Sequence, residues 1–265
     1  MLLSSSLGRW LAWGLFTLLF VPIFGLPLMM VGAASVAGQW NDVLPTQLTL
    51  RHLVDAVHSS AGAELLTSLL TGLIASAVAL FLGTWAALAV RSLRGRAKAV
   101  ASTLFLLPIA VPSVSVGLGL LVAFSRPPVL LNGTAWIVLI AHVVLVTAFA
   151  YGSVAAGLAR LPAHFEQVAA SLGARPAYVL FRVTLPLITP SLVAAAGLCF
   201  ALSMGELGAT IMVYPPHWVT LPVGIFALTD RGAVFDGAAL TILLLALTLT
   251  VLIIVTRIRT RASFR

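Results

Sequence analysis

Long apolar runs separated by short polar stretches make up most of this chain. About 20 apolar residues are enough for a helix to cross the roughly 30 Å hydrocarbon layer of a membrane. Runs close to that length lie near 11–37, 63–90, 99–124, 134–159, 187–212 and 238–256. We interpret all six as transmembrane helices, because barrel strands would be shorter and would alternate in polarity. The pattern therefore predicts an all-α membrane protein with six spans and a single domain, 1–265.

The composition excludes the soluble classes. The chain is 61% apolar and 8% charged, whereas soluble domains carry about 25% charged residues. A net charge of +8 is also typical of nucleic-acid-binding proteins. Here the basic residues stand at the ends of apolar runs, so we expect membrane lipid and no nucleic acid as a partner. Cys199 is the single cysteine, which excludes an internal disulfide and any CxxC site.

The distribution of Lys and Arg predicts the orientation. Cytoplasmic loops of membrane proteins carry an excess of these residues. If the N-terminus is cytoplasmic, only Arg51, Arg126 and Arg231 of the 15 basic residues fall outside. We therefore expect both termini in the cytoplasm, together with the segment 160–186 between the fourth and fifth spans, called the polar loop below.

The polar loop is patterned as a short amphipathic helix. Pro162 suits the first turn of a helix, and Gly173 suits the left-handed residue that ends one. Pro176 then disfavours helix at the preceding residue, and a second helical piece follows. Four apolar residues between these signals recur at helical spacing: Phe165, Val168, Ala169 and Leu172. This stripe can lie on lipid, fold back on its own spans or enter a groove of another protein.

The same residues resemble the signature loop of binding-protein-dependent ABC importer permeases. That loop reads Glu-Ala-Ala, three residues, Gly, nine residues, then Ile-x-Leu-Pro. With Gly173 as the motif glycine, Leu185 and Pro186 fall on Leu-Pro at the family's spacing. The Glu-Ala-Ala positions fall on Gln167, Val168 and Ala169.

The resemblance implies that the helix docks into a cleft of a cytoplasmic ABC ATPase and transmits its motion. Gln167 replaces the motif Glu, and Glu166 stands one position early. This difference from the motif leaves two contacts with the ATPase open. One is a hydrogen bond from Gln167, and the other is an interaction with the charge of Glu166.

Further implications concern fold, partners and substrate. We expect the MetI-like architecture of type I importer permeases, in a bacterial cytoplasmic (inner) membrane, with an ATPase dimer, a second permease subunit, identical or homologous, and a periplasmic solute-binding protein. The run SMGELGATIMVYPPHWVTLPVGIFALTDRG resembles 2-aminoethylphosphonate permeases of the sulfate, molybdate and iron branch, which implies a phosphonate or related oxyanion as substrate.

The chain is not expected to be an enzyme or to hold a catalytic residue, metal or cofactor. A phosphate-binding loop needs Lys followed by Ser or Thr, and the only lysine, Lys98, is followed by Ala99. ATP and Mg are therefore expected on the partner ATPase.

Glu206 is the only acid in the interior of a predicted span, and Gly205 and Gly208 flank it. Intramembrane carboxylates usually face a cavity or a partner because a charge in hydrocarbon is unfavourable. We hypothesise that this segment lines the translocation path or its gate, where Glu206 would contact the ammonium group of an aminophosphonate. The alternative is a protonated or hydrogen-bonded carboxyl that fixes helix packing.

The sequence leaves two alternative functions to consider. An ion- or proton-coupled secondary transporter would work without ATPase partners, but the internal repeat common in such proteins is not visible. An intramembrane protease would need a nucleophile and a base within hydrogen-bond reach, for which Ser153 and His142 are the candidates.

Overall fold

The structure is a computed structural model, and it describes residues 6–42, 45–58 and 61–257. These residues divide into two compact units, a first unit that runs up to residue 62 and includes 224–245, and a second unit of 63–223 with the helical residues that follow 245. Most residues of both units are helical, as expected for apolar segments whose backbone groups must be satisfied within the segment itself.

The first unit begins with a long apolar helix. Its parts are α1 (Ser6–Phe20), a π-helical turn (Val21–Gly25) and α2 (Leu26–Ser35). A short antiparallel hairpin follows, β1 (Ala37–Gln39) and β2 (Thr46–Leu48), in which Ala37 pairs with Leu48. Helix α3 (Arg51–His58) is then joined to the first turn of α14 (Val234–Thr256) by His52, whose Nδ1 lies 2.6 Å from Oδ1 of Asp236.

The helices of the second unit follow in chain order. They are α4 (Ala61–Ser92), α5 (Gly95–Ala110), α6 (Ser113–Ala123), α7 (Ala135–Ala159), α8 (His164–Ser171), α9 (Pro176–Val179), a π-helical turn (Leu180–Thr184), α10 (Leu185–Leu187), α11 (Thr189–Met204) and α12 (Thr210–Val213). Helix α13 (Leu221–Asp230), too short to span, leads from this unit into the first. The described part of α4 begins in the first unit, and α14 ends in the second.

Helix α7 lies at the centre of the second unit and is the most buried of its long apolar helices. One cluster joins its C-terminal half to α4 and α11 through Val90, Val154 and Ile188, among others. A second cluster joins its N-terminal half to the segment around Ala209. Small residues bring the backbones close, since a Cβ added at Gly83 would lie 2.7 Å from the Tyr151 nitrogen.

Four of the six predicted spans are single helices long and apolar enough to cross a membrane: Gly8–Ser35, Ala61–Ser92, Ala135–Ala159 and Val234–Thr256. The other two are bent pairs. Helices α5 and α6 meet at 100°, and Pro176–Leu187 meets α11 at 66°. Pro112 causes the first bend, because it has no N–H for a continuing helix and forces Val111 into an extended conformation. The fifth predicted span also ends earlier than expected, at Met204 rather than at 212.

Candidate functional site

The polar loop contains the helix that its sequence predicts. Helix α8 ends at Ser171, and Gly173 has a φ of +83°, which glycine adopts without strain. The Gly173 N–H donates to the Ala170 carbonyl at 2.9 Å, and the Ala174 N–H donates to the Ala169 carbonyl at 3.1 Å. These two bonds form a Schellman ending, so the predicted helix end is confirmed. Pro176 begins α9, as the second helical piece requires.

The predicted apolar stripe of α8 divides between two faces. Phe165 packs against the buried cluster of α4, α7 and α11, and Ala169 is half-buried beside it. Val168 and Leu172 face away and are 55% and 83% exposed. Val168 is turned by about 60° from Phe165 on the helix, and Leu172 stands past the last residue of α8, at its C-cap. The stripe therefore folds back on its own spans with one half and leaves the other half free.

Glu166 is the most strongly bonded residue of the polar loop. Its Oε1 and Oε2 accept hydrogen bonds from the two terminal nitrogens of Arg91 at 2.8 and 2.9 Å. The hydroxyl of Thr184, in the second π-helical turn, donates to Oε1 at 2.7 Å. Partial burial raises the pKa of Glu166, but these hydrogen bonds and the Arg91 charge outweigh it and hold the pKa below its ordinary value of 4.5.

The other predicted loop residues take different positions. Gln167 is exposed, as is Val168 next to it. Leu185 is half-buried against the cluster that holds Phe165, whereas Pro186 is exposed in the first turn of α10. The sequence analysis missed Arg91 and Thr184. The sequence offered one signal for this pair, that Arg91 stands at the end of the second predicted span that is expected to be cytoplasmic.

Glu206 lies outside any helix, because α11 ends at Met204 and the helix predicted for this segment does not extend to residue 206. Gly205 caps the end of α11, and the chain stays irregular until α12 begins at Thr210. Oε1 of Glu206 accepts a hydrogen bond at 2.7 Å from the N–H of Ala209, one of the backbone groups that a helix start leaves without an internal partner. Gly208 packs directly against Ser113 at the start of α6.

A cavity of about 210 Å³ lies where these helix breaks meet. Its polar lining comes from Ser113, His142 and Glu206, and apolar residues such as Pro108 and Leu202 complete it. Discontinuous helices place polar groups at membrane depth only where these face protein or a cavity. The hypothesis that Glu206 faces a cavity thus agrees with the geometry, and the role of that cavity is a matter for proposal.

His142 forms one wall of the cavity and is 1% exposed. Its Nδ1 lies 2.6 Å from the Ser203 hydroxyl and its Nε2 lies 2.8 Å from the Thr210 hydroxyl. It therefore joins the end of α11 to the start of α12 across the break. His142 and Ser153 both lie on α7, where eleven residues of helix separate them by roughly 16 Å, so the structure does not bring them together as a base and its nucleophile.

Comparison with known proteins decides the family. Residues 79–263, more than half of the chain, match the model of the family described as "Binding-protein-dependent transport system inner membrane component". The chain belongs to this family. It is a permease subunit of an ABC importer, a multi-pass membrane protein rather than an enzyme, and the resemblance found in its sequence is confirmed.

Individual relatives add detail. The chain is 52% identical to the "Putative 2-aminoethylphosphonate transport system permease protein PhnV" of Salmonella paratyphi A, with 98% of each chain covered. It is 34% identical to the molybdenum transport system permease protein ModB of Mycobacterium tuberculosis over 71% of this chain and 77% of that one. A bacterial alginate ABC transporter, solved in complex with a pentasaccharide-bound periplasmic protein, shares the fold at a TM-score of 0.71 and 18% identity, with 96% of each chain covered.

Proposed function

We propose that the importer containing this permease carries 2-aminoethylphosphonate or a closely related phosphonate or oxyanion. The observation that carries the proposal is 52% identity over 98% of the chain to a relative named for that substrate. The cavity at the helix breaks supports it, because a carboxylate on its wall suits the ammonium group of a small aminophosphonate.

The proposed assembly has this permease paired with a second, identical or homologous permease. Two ABC ATPases bind ATP and Mg and dock on the polar loops, and a periplasmic solute-binding protein delivers the substrate. The exposed outward side of α8, with Gln167, Val168 and Leu172, supports the docking step, since unpaired apolar side chains at a polar surface mark interaction sites. Both termini and the polar loop lie in the cytoplasm, as the excess of Lys and Arg there favours.

Reconstitution with its binding protein and ATPase tests the function. We expect ATP-dependent uptake of 2-aminoethylphosphonate, weaker uptake of ethylphosphonate, which lacks the ammonium group, and little of sulfate or molybdate. Uptake that persists with no nucleotide-hydrolysing subunit present would contradict an ATP-driven importer. Preference for sulfate or molybdate would contradict the proposed substrate alone.

Glu206→Gln tests the cavity, because it keeps the hydrogen-bond acceptor for Ala209 and removes the charge. Asp55→Asn, at an exposed acid of α3, is the control. We expect the first variant to assemble normally but to lose its preference for 2-aminoethylphosphonate over ethylphosphonate. An unchanged preference would remove Glu206 from the substrate path.

A further inference from the structure

Among the residues that the structure describes, helix α8 is linked to the rest of the second unit by one ion pair, between Glu166 and Arg91. The backbone connects α8 to α7 on one side and to α9 on the other. Helix α4 lies far away in sequence, and Arg91 at its end is 75 residues from Glu166. Through that pair, the helix that is expected to contact the partner ATPase is bound to α4, a span that is not its neighbour in the sequence.

The geometry of this link restrains direction as well as distance. Both guanidinium nitrogens of Arg91 bind separate oxygens of Glu166, and such fork-to-fork pairs fix orientation more strongly than a single contact. Thr184 adds a third bond and is itself buried. The side chains of Arg91 and Glu166 are only 32% and 26% exposed, so water competes less for them than at a free surface.

The same bonds settle which way the Glu166 charge faces. Its two oxygens accept three hydrogen bonds from the permease itself, while Gln167, Val168 and Leu172 face outward. The outward side of α8 is therefore separate from the side that holds Glu166.

We propose that Glu166 is a positioning residue that couples the polar loop to α4 within the permease instead of pairing with the ATPase. When the partner moves α8, the pair with Arg91 carries α4 along, and the bond from Thr184 carries the π-helical turn that leads to α10 and α11. The proposal rests on the proposed function only in assuming that an ATPase docks on this loop.

The test compares ATP hydrolysis with uptake in the reconstituted complex. The variants are Glu166→Gln, Arg91→Gln and the exchanged pair Glu166→Arg with Arg91→Glu. Arg94→Gln, at a neighbouring exposed arginine, is the control. We expect both single variants to keep the ATPase bound and hydrolysing, while substrate carried per ATP falls about tenfold, the factor expected for one charge-assisted hydrogen bond. We expect the exchanged pair to recover much of the loss and Arg94→Gln to match the wild type.

Three results would overturn the proposal. The first is an unchanged ratio of substrate to ATP in both single variants. The second is loss of the bound ATPase in Glu166→Gln but not in Arg91→Gln, which would place Glu166 at the partner interface. The third is an exchanged pair that carries no more substrate per ATP than the single variants. This comparison still tests the proposal if the single variants accumulate poorly. A wild-type complex that neither hydrolyses ATP nor transports would contradict the proposed function instead.

Discussion

Gly117 supplies the sharpest test of how the helix breaks are held together. A Cβ built on Gly117 would lie 2.6 Å from the carbonyl oxygen and 2.8 Å from the Cα of Ala209, the residue that leads into α12. Both atoms belong to the backbone, so no side chain can rotate away. Since carbon and carbonyl oxygen approach to about 3.3–3.6 Å in proteins, Gly117→Ala would push α6 and this segment apart by roughly 1 Å.

Gly119, on the same helix, separates this contact from helix propensity. A Cβ at Gly119 meets no atom within 4 Å. Replacing either glycine by alanine favours the helix by about 1 kcal/mol, whereas overpacking at Gly117 costs about 1–3 kcal/mol. Gly117→Ala should therefore be less stable than Gly119→Ala by about 1–3 kcal/mol, with the propensity gain cancelling between the two.

The single cysteine provides the assay. Cys199 is 0% exposed, so a thiol-reactive fluorophore labels it only when the protein opens. Thermal melts of the detergent-solubilised variants should place Gly117→Ala several degrees below Gly119→Ala. Coincident melting curves would mean that α6 does not approach Ala209 as closely as the structure shows.

Three further outcomes follow from the structure. Gly157→Ala should lower the melting temperature in the same assay, because the added Cβ would lie 2.6 Å from Cβ of Ser191. Adding Ser191→Gly should restore the melting temperature. If it does not, this contact is not the cause of the loss. Leu172→Glu should leave folding intact and weaken ATPase co-purification, whereas Leu48→Glu, at a similarly exposed leucine, should not. The lowered pKa of Glu166 predicts stabilisation that is fully present above about pH 4.5 and lost as the pH falls through the lower folded-state value. Denaturant titrations across this range should show less pH dependence in Glu166→Gln, and an equal dependence would contradict the ion pair.

Hydropathy predicted the spans well where a helix is straight. Helix α4, expected near 63–90, occupies Ala61–Ser92, because a continuous apolar run of that length has one stable form in lipid. Hydropathy averaged over a span-length window does not show breaks in a helix. Ile211 and its apolar neighbours extended the fifth predicted span beyond Met204, although Gly205 and Gly208 had already interrupted the helix. Pro112 breaks the third predicted span, but its position in the sequence does not give the 100° angle of the bend.

The polar loop shows a second limit. The signals that end α8 are local, so Gly173 and Pro176 could be interpreted from the sequence alone. The partner of Glu166 could not be, because Arg91 lies 75 residues away. A single sequence contains only the prediction that both stand on the same side of the membrane. That prediction is consistent with a pair between Glu166 and Arg91, but it does not distinguish Arg91 from the other arginines on the same side.

The π-helical turn Leu180–Thr184 lies between Gly173 and Pro186, so the number of residues between these two also determines the direction of the side chains that follow the turn. A turn closed from residue i to i+5 holds one residue more than an α-helical turn, and one residue corresponds to about 100° about the helix axis. Deleting a residue from this turn would leave a smoother helix, yet it would swing the Thr184 hydroxyl away from the carboxylate it now reaches. The number of residues between Gly173 and Pro186 thus fixes the rotation about the helix axis as well as the distance along it.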